Sequence, residues 1–499
     1  MITAEKFLEL SEEYNLIPVY DEIIADTETP VSLYRQLSQI NDHSFLLESA
    51  STGEELNVGR YSFIGINPQR IIKNIDDEIL ITNNNEEIIK KKEKNNLVDF
   101  INNYLNQFKV YEIEDLPPFS GGLVGYFGYE MITEWEELYH TKTNKNIQTG
   151  DLPSTILVIA KFVIAYDHLN NTLKIIDNIH LDSGLNKTEK LKIFQQSQQK
   201  IKEIINKIRN KQNQNYSKPD HTSNQKQLQS NTSKTEFKAM VEQAKENIKE
   251  GEAFQIVLSQ KFSIETQISP FEVYRALRVS NPSPYMFFLN FCDIKMIGSS
   301  PEILVKVQGD KVITRPLAGT RPRGQNKAED NQLKDDLLND TKENAEHIML
   351  VDLGRNEISK VCQYNSVEVT ELMGIETYSS VMHLVSQVEG IKKPDLSSLE
   401  VLKSVFPAGT VSGAPKIRAM EIIDQLEKEP RGVYAGAVGY LDFSGNLDTC
   451  ITIRTFFMKN NILSAQVGAG IVADSIPDKE YEETLNKAQG LFKALQITK

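Results

Sequence analysis

Three segments in the C-terminal half of the chain combine glycine with hydroxyl, proline and cationic residues. They are Ala318–Gly324, Phe406–Lys416 and Val467–Ile471. Because glycine has no Cβ, its backbone N–H can approach a ligand closely, and runs of such groups beside Thr, Arg and Lys bind oxygen anions well. None of the three has the spacing of a nucleotide phosphate loop or of a dinucleotide-binding glycine motif. The chemistry they favour is the binding of a small polycarboxylate.

Two pairs of glutamates are spaced three residues apart on predicted helices, Glu343/Glu346 and Glu480/Glu483. This spacing puts both carboxylates of a pair on one helical face. Brought together, the two faces would offer hard oxygen ligands for Mg²⁺, with room for waters and a substrate carboxylate. With 69 acidic residues in the chain, such pairs also arise on solvated faces. The run 347–356 has apolar residues on every side, which predicts a buried helix whose carboxylates need partners.

Three single residues are further candidates. Glu302 follows a tight turn and would act as a general acid if burial raised its pKa, although an exposed strand-end glutamate fits the same pattern. His383 alternates with apolar neighbours on a predicted strand, where a core histidine is the alternative. Arg454 lies in an otherwise apolar predicted strand, 447–457, and must face water, a buried carboxylate or a ligand.

The surrounding elements predict a globular protein of the α+β class. At 499 residues, with 40% hydrophobic and 25% charged residues, the chain is long enough for two or three domains. Its net charge of −14 argues against sequence-independent nucleic-acid binding. Strands cluster and are joined by short turns such as Ser444–Asn446, which favours large, mostly antiparallel sheets over alternating βαβ units.

A polar tract rich in Gln, Asn and Ser divides the chain and predicts a linker or long surface loop. The predicted division is an N-terminal region, 1–207, a linker, 208–232, and a C-terminal domain, 233–499. The three cysteines lack a C-x-x-C spacing, which is typical of buried apolar residues in a reducing compartment. We find neither a signal-peptide pattern nor an apolar run long enough to span a bilayer, so we expect a cytoplasmic protein without membrane contact.

Several long motifs, in order along the chain, resemble those of the chorismate-utilising enzymes, in particular the large subunits (component I) of anthranilate synthases. The resemblance covers nearly the whole chain and is densest in Gly298–Glu302, Arg315–Pro322, Glu346–Leu353, Phe406–Lys416 and Tyr434–Tyr440. It implies two large antiparallel sheets packed face to face with helices outside. It also implies a reaction in which ammonia adds at C2 of chorismate with loss of the 4-hydroxyl. The enolpyruvyl group then leaves as pyruvate, which gives anthranilate.

The resemblance also implies roles for individual residues. Glu346 and Glu483 match the direct Mg²⁺ ligands, with Glu343 and Glu480 as water-mediated partners. Glu302 would protonate the departing hydroxyl, and His383 and Thr410 would assist the later steps, with His383 favoured for pyruvate elimination. The positions that match the family's chorismate-binding residues are Gly319, Thr320, Tyr434, Arg454, Gly468, Ala469 and Gly470.

Two positions separate the branches of this family. Branches that make isochorismate or salicylate carry a water-activating lysine where this chain has Gln255, which has no basic nitrogen. Aminodeoxychorismate synthases generally carry a nucleophilic lysine before Gly-Thr, where this chain has Ala318. Both differences favour anthranilate. An aminodeoxychorismate synthase component I and a non-catalytic regulatory relative are the alternatives.

The resemblance further implies regulation and a partner. Segments around Glu48–Ser49 and Pro284–Met286 resemble those that bind tryptophan as a feedback inhibitor, with Glu48 and Ser49 near its ammonium group and Pro284, Tyr285 and Met286 opposite. No G-x-C-x-G glutaminase motif is present, so a separate glutamine amidotransferase subunit, or free ammonium, is expected to supply the ammonia. The expected assembly is a heterodimer doubled to a heterotetramer.

Overall fold

The computed structural model describes residues 2–38, 43–49, 59–75, 78–83, 87–93, 96–136, 152–210, 228–377 and 381–497. The strands are β1 (Leu16–Ile24), β2 (His43–Glu48), β3 (Tyr61–Ile75), β4 (Glu78–Thr82), β5 (Ile88–Glu93), β6 (Gly122–Phe127), β7 (Thr155–Asp167), β8 (Thr172–His180), β9 (Gln229–Ser230), β10 (Gln255–Glu265), β11 (Tyr285–Phe291), β12 (Ile294–Ser300), β13 (Ile303–Gln308), β14 (Lys311–Thr314), β15 (Leu317–Pro322), β16 (Glu368–Thr377), β17 (Val381–Ile391), β18 (Gly413–Ala414), β19 (Ala437–Asp442), β20 (Leu447–Ile451), β21 (Thr455–Lys459) and β22 (Ile462–Ile471). The α-helices are α1 (Ala4–Leu10), α2 (Pro30–Leu37), α3 (Leu97–Leu105), α4 (Ile132–Trp135), α5 (Lys187–Arg209), α6 (Lys234–Lys249), α7 (Pro270–Ser280), α8 (Lys327–Asn339), α9 (Thr341–Ser359), α10 (Ser398–Val405), α11 (Gly409–Ser412), α12 (Lys416–Leu426), α13 (Pro477–Phe492) and α14 (Ala494–Ile497).

The strands form two limbs that diverge from the central strand β7. β7 is apolar and buried along almost its whole length, and it pairs with β3 on one edge and with β6 and then β8 on the other. The first limb runs β7–β3–β2–β11–β12–β21–β22–β10. The second limb runs β7–β6–β19–β20–β13–β14–β17, and β15 and β16 pair with β17. All of these pairings are antiparallel.

The two limbs pack face to face through a buried apolar core. Phe287 of the first limb and Val438 and Cys450 of the second belong to this core. Because side chains alternate across a strand, the next residue, Phe288, lies on the opposite face in the core against the outer helices. Helices α1, α2, α5, α7 and α13 cover the first limb, α6 and α12 cover its edge at β10 and β22, and α3, α4, α9 and α10 cover the second limb. The predicted α+β class with antiparallel sheets is confirmed, and β7 joins both layers into one hydrogen-bonded network.

Two of the points at which the chain passes from one limb to the other lie next to each other. The chain leaves the first limb between β12 and β13 at Pro301–Glu302, and it returns between β20 and β21 at 452–454. The backbone N–H of Ile451 donates to the carbonyl of Glu302 at 3.0 Å, which joins the two crossings. The prediction of one strand over 447–457 is therefore wrong. The strand breaks at Arg454, whose φ of 49° is left-handed and incompatible with a continuous strand.

The predicted polar linker lies largely outside the described residues. Helix α5 extends to Arg209, and Gln229–Ser230 already pair with β10, so the described parts of 208–232 contribute to regular structure at both ends. The division into an N-terminal region and a C-terminal domain stays a prediction. No helix within the described ranges has the length and apolar character needed to cross a bilayer.

Candidate active site

The crossings between the limbs place an acid and a guanidinium side by side. Glu302 follows Pro301 at the first crossing and is 7% exposed, so the alternative of an exposed strand-end glutamate is excluded. Burial raises the pKa of its carboxyl to about 8, although a hydrogen bond from Thr410 and the charge of Arg454 both oppose this shift. Glu302 therefore carries its proton at neutral pH, as a general acid must.

Thr410 reaches Glu302 from the short helix α11. Its Oγ1 donates to Oε1 of Glu302 at 3.0 Å. The backbone turns sharply after this helix at Gly413, where φ is +133° and a Cβ would lie 2.1 Å from the carbonyl oxygen of Gln255. The turn is thus closed to other residues, and it holds the threonine-bearing segment against the start of β10.

His383 lies on β17 and is 2% exposed, but it is not a plain core histidine. Its Nδ1 is 3.0 Å from the carbonyl oxygen of Gly319 and 3.0 Å from Oγ1 of Thr320, both on the paired strand β15. Since a carbonyl oxygen only accepts, Nδ1 carries the hydrogen and Nε2 is the basic nitrogen. Burial, assisted by the charge of Arg454, lowers the pKa of the imidazole to about 4. The ring is neutral at pH 7 and competent as a general base.

The glycine-rich strand β22 lies between β10 and Tyr434. Gly468 is opposite Ser259 of β10, and a Cβ at Gly468 would lie 2.7 Å from the Tyr434 hydroxyl. A Cβ at Gly470 would lie 2.8 Å from Nε2 of Gln255. The glycines are therefore required because neighbouring groups approach the backbone of this strand closely. Ala469, between them, is fully buried and points to the opposite face.

The first acidic pair, Glu343/Glu346, lies next to two of the glycine segments, those that contain Gly319 and Gly470. Glu346 of α9 accepts from Nε2 of Gln255 at 2.9 Å, next to Gly470. Glu343 lies against Gly319, since a Cβ there would be 3.2 Å from its Oε2. Burial and then the charge of Glu346 raise the pKa of Glu343. The prediction that α9 is buried on every face is wrong, because Ile348 is 40% exposed.

The second acidic pair lies on α13, which packs against β22. Glu483 is exposed and forms a 2.7 Å ion pair with Lys487, whose Nζ also donates to the Gly468 carbonyl at 2.9 Å. Burial raises the pKa of Glu480, and the charge of Glu483 adds to this effect. Lys487 was missed in the sequence analysis. Its spacing of four residues from Glu483 is the signal that would have identified it.

The donor chemistry of these four glutamates fits a divalent cation. In each pair, like charge raises the pKa of one carboxyl, so a cation would relieve repulsion that the protein leaves partly uncompensated. Within the described ranges, no three His, Cys, Asp or Glu side chains lie close enough together to hold a metal ion by themselves. Mg²⁺ is usually held by one or two carboxylates with waters and substrate oxygens completing the shell.

A second region contains all five residues predicted to bind tryptophan. β2 pairs with β11 so that Glu48 is opposite Met286. Together with Ser49, Pro284 and Tyr285, these two residues line a cavity of about 1130 Å³ that also reaches Pro301. Arg278 donates to Oε2 of Glu48 at 3.1 Å. Oε1 of Glu48 and Oγ of Ser49 are buried and have no hydrogen-bond partner in the described part of the chain.

Comparison with known proteins identifies the class to which this fold and site belong. The family model of chorismate binding enzymes matches residues 29–493. The chain belongs to the chorismate binding enzyme family, and is accordingly an enzyme acting on chorismate.

Its relatives place it more narrowly. It is 43% identical to anthranilate synthase component 1 of Acetivibrio thermocellus, covering 99% of this chain and 98% of the relative. It is 40% identical to that of Bacillus subtilis, covering 98% and 94%. The crystal structure of anthranilate synthase component I from Streptococcus pneumoniae superposes with a TM-score of 0.76 at 36% identity, covering 94% of this chain and 98% of that one. A menaquinone-specific isochorismate synthase from Escherichia coli, 19% identical with a TM-score of 0.70 and 99% of both chains covered, shares the fold.

Proposed function

We propose that this chain catalyses the amination of chorismate with ammonia to give anthranilate, pyruvate and water, as the large component of an anthranilate synthase. Relatives of that name align along essentially the whole chain. The observation that carries the chemistry is that the charge of Arg454 lowers the pKa of both the buried, protonated Glu302 and the neutral His383. A proton donor and a proton acceptor are thus both within electrostatic reach of one guanidinium.

The reaction follows from these groups. The proton of Glu302 passes to the 4-hydroxyl of chorismate, which leaves as water while ammonia forms its bond at C2. Nε2 of His383 then takes the C2 proton as the enolpyruvyl ether bond breaks, so that the ring becomes aromatic. The departing enolate gains a proton at its methylene carbon and leaves as pyruvate, and the ammonium formed at C2 loses the proton that balances the one given by Glu302. Arg454 and the backbone N–H groups of Gly468–Gly470 bind substrate carboxylate. Glu346 and Glu483 would hold Mg²⁺, with Glu343 and Glu480 through water; the bound ion would neutralise the ring carboxylate.

The test is incubation of the protein with chorismate, Mg²⁺ and an ammonium salt, followed by anthranilate fluorescence. The expected result is metal-dependent formation of anthranilate. An aminodeoxychorismate product would instead favour that synthase, and no turnover would favour a non-catalytic relative. Adding glutamine and a glutamine amidotransferase subunit tests the proposed partner, because glutamine should then replace ammonium as nitrogen donor.

Ala318, the residue before Gly319, supports free ammonia rather than a lysine side chain as the nucleophile that attacks C2. Ala318 is 8% exposed on β15 and carries no nucleophile. We expect Ala318→Lys to lower the anthranilate rate by about tenfold, since a long side chain at this packed position costs typically 1–3 kcal/mol and fills the space that ammonia would use. Ala318→Ser, which is small, is the matched control. Full anthranilate output from the lysine variant would contradict this account.

Tryptophan as feedback inhibitor is supported by the cavity around Glu48. Its buried carboxylate oxygen and the Ser49 hydroxyl provide unpaired acceptors for an ammonium group. Ser49→Phe should keep anthranilate synthesis and raise the inhibition constant for tryptophan at least about tenfold, because a phenyl ring would occupy the ligand's volume and remove one hydrogen bond. Ser49→Ala, which removes only the hydroxyl, should give a smaller shift. The check is inhibition at several chorismate concentrations, since allostery requires each ligand to weaken the other. An unchanged inhibition curve in the phenylalanine variant would exclude this site.

A further inference from the structure

A buried guanidinium connects three segments of the proposed chorismate site without belonging to it. Arg431 lies in the loop after α12 and is 5% exposed. It forms a two-pronged ion pair with Glu427, through Nε to Oε2 at 2.9 Å and Nη2 to Oε1 at 2.7 Å. Oε1 of Glu427 also accepts from the backbone N–H and the hydroxyl of Ser259, both at 2.8 Å.

The remaining donors of Arg431 bind main-chain carbonyls of the site. Nη1 donates to the carbonyl of Val411 at 2.7 Å, and Nη2 donates to that of Val257 at 2.7 Å. Val411 directly follows Thr410, which binds Glu302. Val257 is the β10 partner of Gly470. One side chain therefore fixes the threonine-bearing helix α11 relative to the glycine-rich strand.

The cluster also fixes the tyrosine of the site. The Arg431 guanidinium carbon lies 5.5 Å from the ring centre of Tyr434 and 4.8 Å from that of Tyr129. From the other side, Oε1 of Glu130 accepts from the backbone N–H of Arg431 at 2.7 Å and of Gly432 at 3.2 Å. The loop that leads into Tyr434 is thus held by both its side chain and its main chain.

A buried ion pair is weak evidence for a role in stability, because well-packed apolar residues in its place are often as stable. Its value here is directional, since a planar guanidinium with several committed donors imposes one geometry on the segments it joins. We propose that Arg431 is a positioning residue of the chorismate site, which holds Thr410 against Glu302 and Tyr434 against Gly468. The inference rests on the proposed function for its kinetic consequence but not for its geometry.

The experiment compares Arg431→Lys, Thr410→Val and the double variant. A lysine ammonium keeps charge beside Glu427 but cannot bind both carbonyls in the same plane. We expect a crystal structure of Arg431→Lys to show the 3.0 Å contact between Thr410 and Glu302 lost. We expect kcat to fall about hundredfold, as for an approximately 1 Å misplacement. The apparent pKa of the alkaline limb of the kcat–pH profile should move to a higher value, since the Thr410 hydrogen bond lowers the pKa of Glu302.

Thr410→Val should move this apparent pKa to a higher value by itself. Arg431→Lys should cause no further change when it is combined with Thr410→Val.

Arg418→Lys is the matched control, since Arg418 lies on the preceding helix α12 in a part-exposed ion pair with Glu252 and Glu421. It should change neither the Thr410–Glu302 contact nor the pKa of the alkaline limb. An intact Thr410–Glu302 contact in Arg431→Lys overturns the proposal. The proposal is also overturned if kcat falls while the apparent pKa of the alkaline limb stays unchanged. It is overturned as well if Arg431→Lys shifts this apparent pKa in the Thr410→Val variant by as much as it does in the wild-type protein. If Arg431→Lys does not fold, Glu427→Gln, which weakens the same clamp, is subject to the same criteria. Absence of anthranilate from the wild-type protein would refute the proposed function, whereas the crystal structure would still decide the positioning role.

Discussion

Glu302→Gln is expected to lower kcat for anthranilate formation by about 10²–10⁴-fold, the usual contribution of a general acid. The amide has nearly the shape of the carboxyl but no acidic proton for the departing hydroxyl. The rate is measured by anthranilate fluorescence with ammonium as donor. Because burial raises the pKa of Glu302 to about 8, the wild-type rate should fall as pH rises through that value. The variant should lack this limb.

The pH profile is recorded at constant free ammonia, so that titration of ammonium does not mimic the limb. Asp442→Asn is the matched control, since burial also raises the pKa of the Asp442 carboxyl, to about 6, but this residue ends β19 and accepts from the backbone N–H of Asn446 in the turn to β20. It should keep the wild-type limb. A Glu302→Gln enzyme with undiminished rate, or with the limb intact, would remove Glu302 from the acid role.

Glu346→Gln should weaken activation by Mg²⁺ at least about hundredfold, because even partners outside the coordination shell change metal affinity by about 10–100-fold. Chelation of the wild-type protein should abolish turnover, and added Mg²⁺ should restore it. Binding is also measured without turnover, as the rise in thermal unfolding midpoint with Mg²⁺ concentration, since a ligand of the folded state stabilises it by mass action.

Glu482→Gln is the control for this experiment. It is exposed and adjacent to Glu483 on α13, but it belongs to neither i,i+3 pair. It should leave both the Mg²⁺ dependence and the unfolding shift unchanged. Equal effects of the two substitutions would indicate a general loss of negative charge rather than a metal ligand. A wild-type protein that turns over fully in chelator would exclude the metal altogether.

The glycine segments and acidic pairs could be identified from sequence because their signals are local. Glycine is required where a neighbouring atom lies within about 3 Å of the position that a Cβ would occupy, as at Gly468 and Gly470. The i,i+3 spacing of Glu343/Glu346 follows from helix geometry alone. The resemblance of ordered motifs to a known family then connected them into one site, and the comparisons confirm that family.

The protonation and exposure of individual side chains could not be predicted from such local signals. The sequence pattern around Glu302 also fitted an exposed strand-end glutamate, and that around His383 also fitted a core histidine. Burial gives both residues a functional protonation state, since it raises the pKa of Glu302 above 7 and lowers that of His383 below 7. The break at Arg454 was overlooked because 451–455 has the composition of a continuous strand. Ile348 of α9 is exposed although its helix is apolar on all sides in sequence, since only packing chooses which faces are covered.

The amino-acid sequence by itself determined the family, the α+β class and which residue types are available for amination chemistry, because those depend on identity and spacing along the chain. Only the tertiary structure decided that Glu302 is protonated, that His383 is neutral, and that Arg431 joins three distant segments. Protonation and position depend on the dielectric surroundings and on contacts between residues more than a hundred positions apart, such as Arg431 with Val257. Such contacts arise when the two limbs and their crossings are assembled.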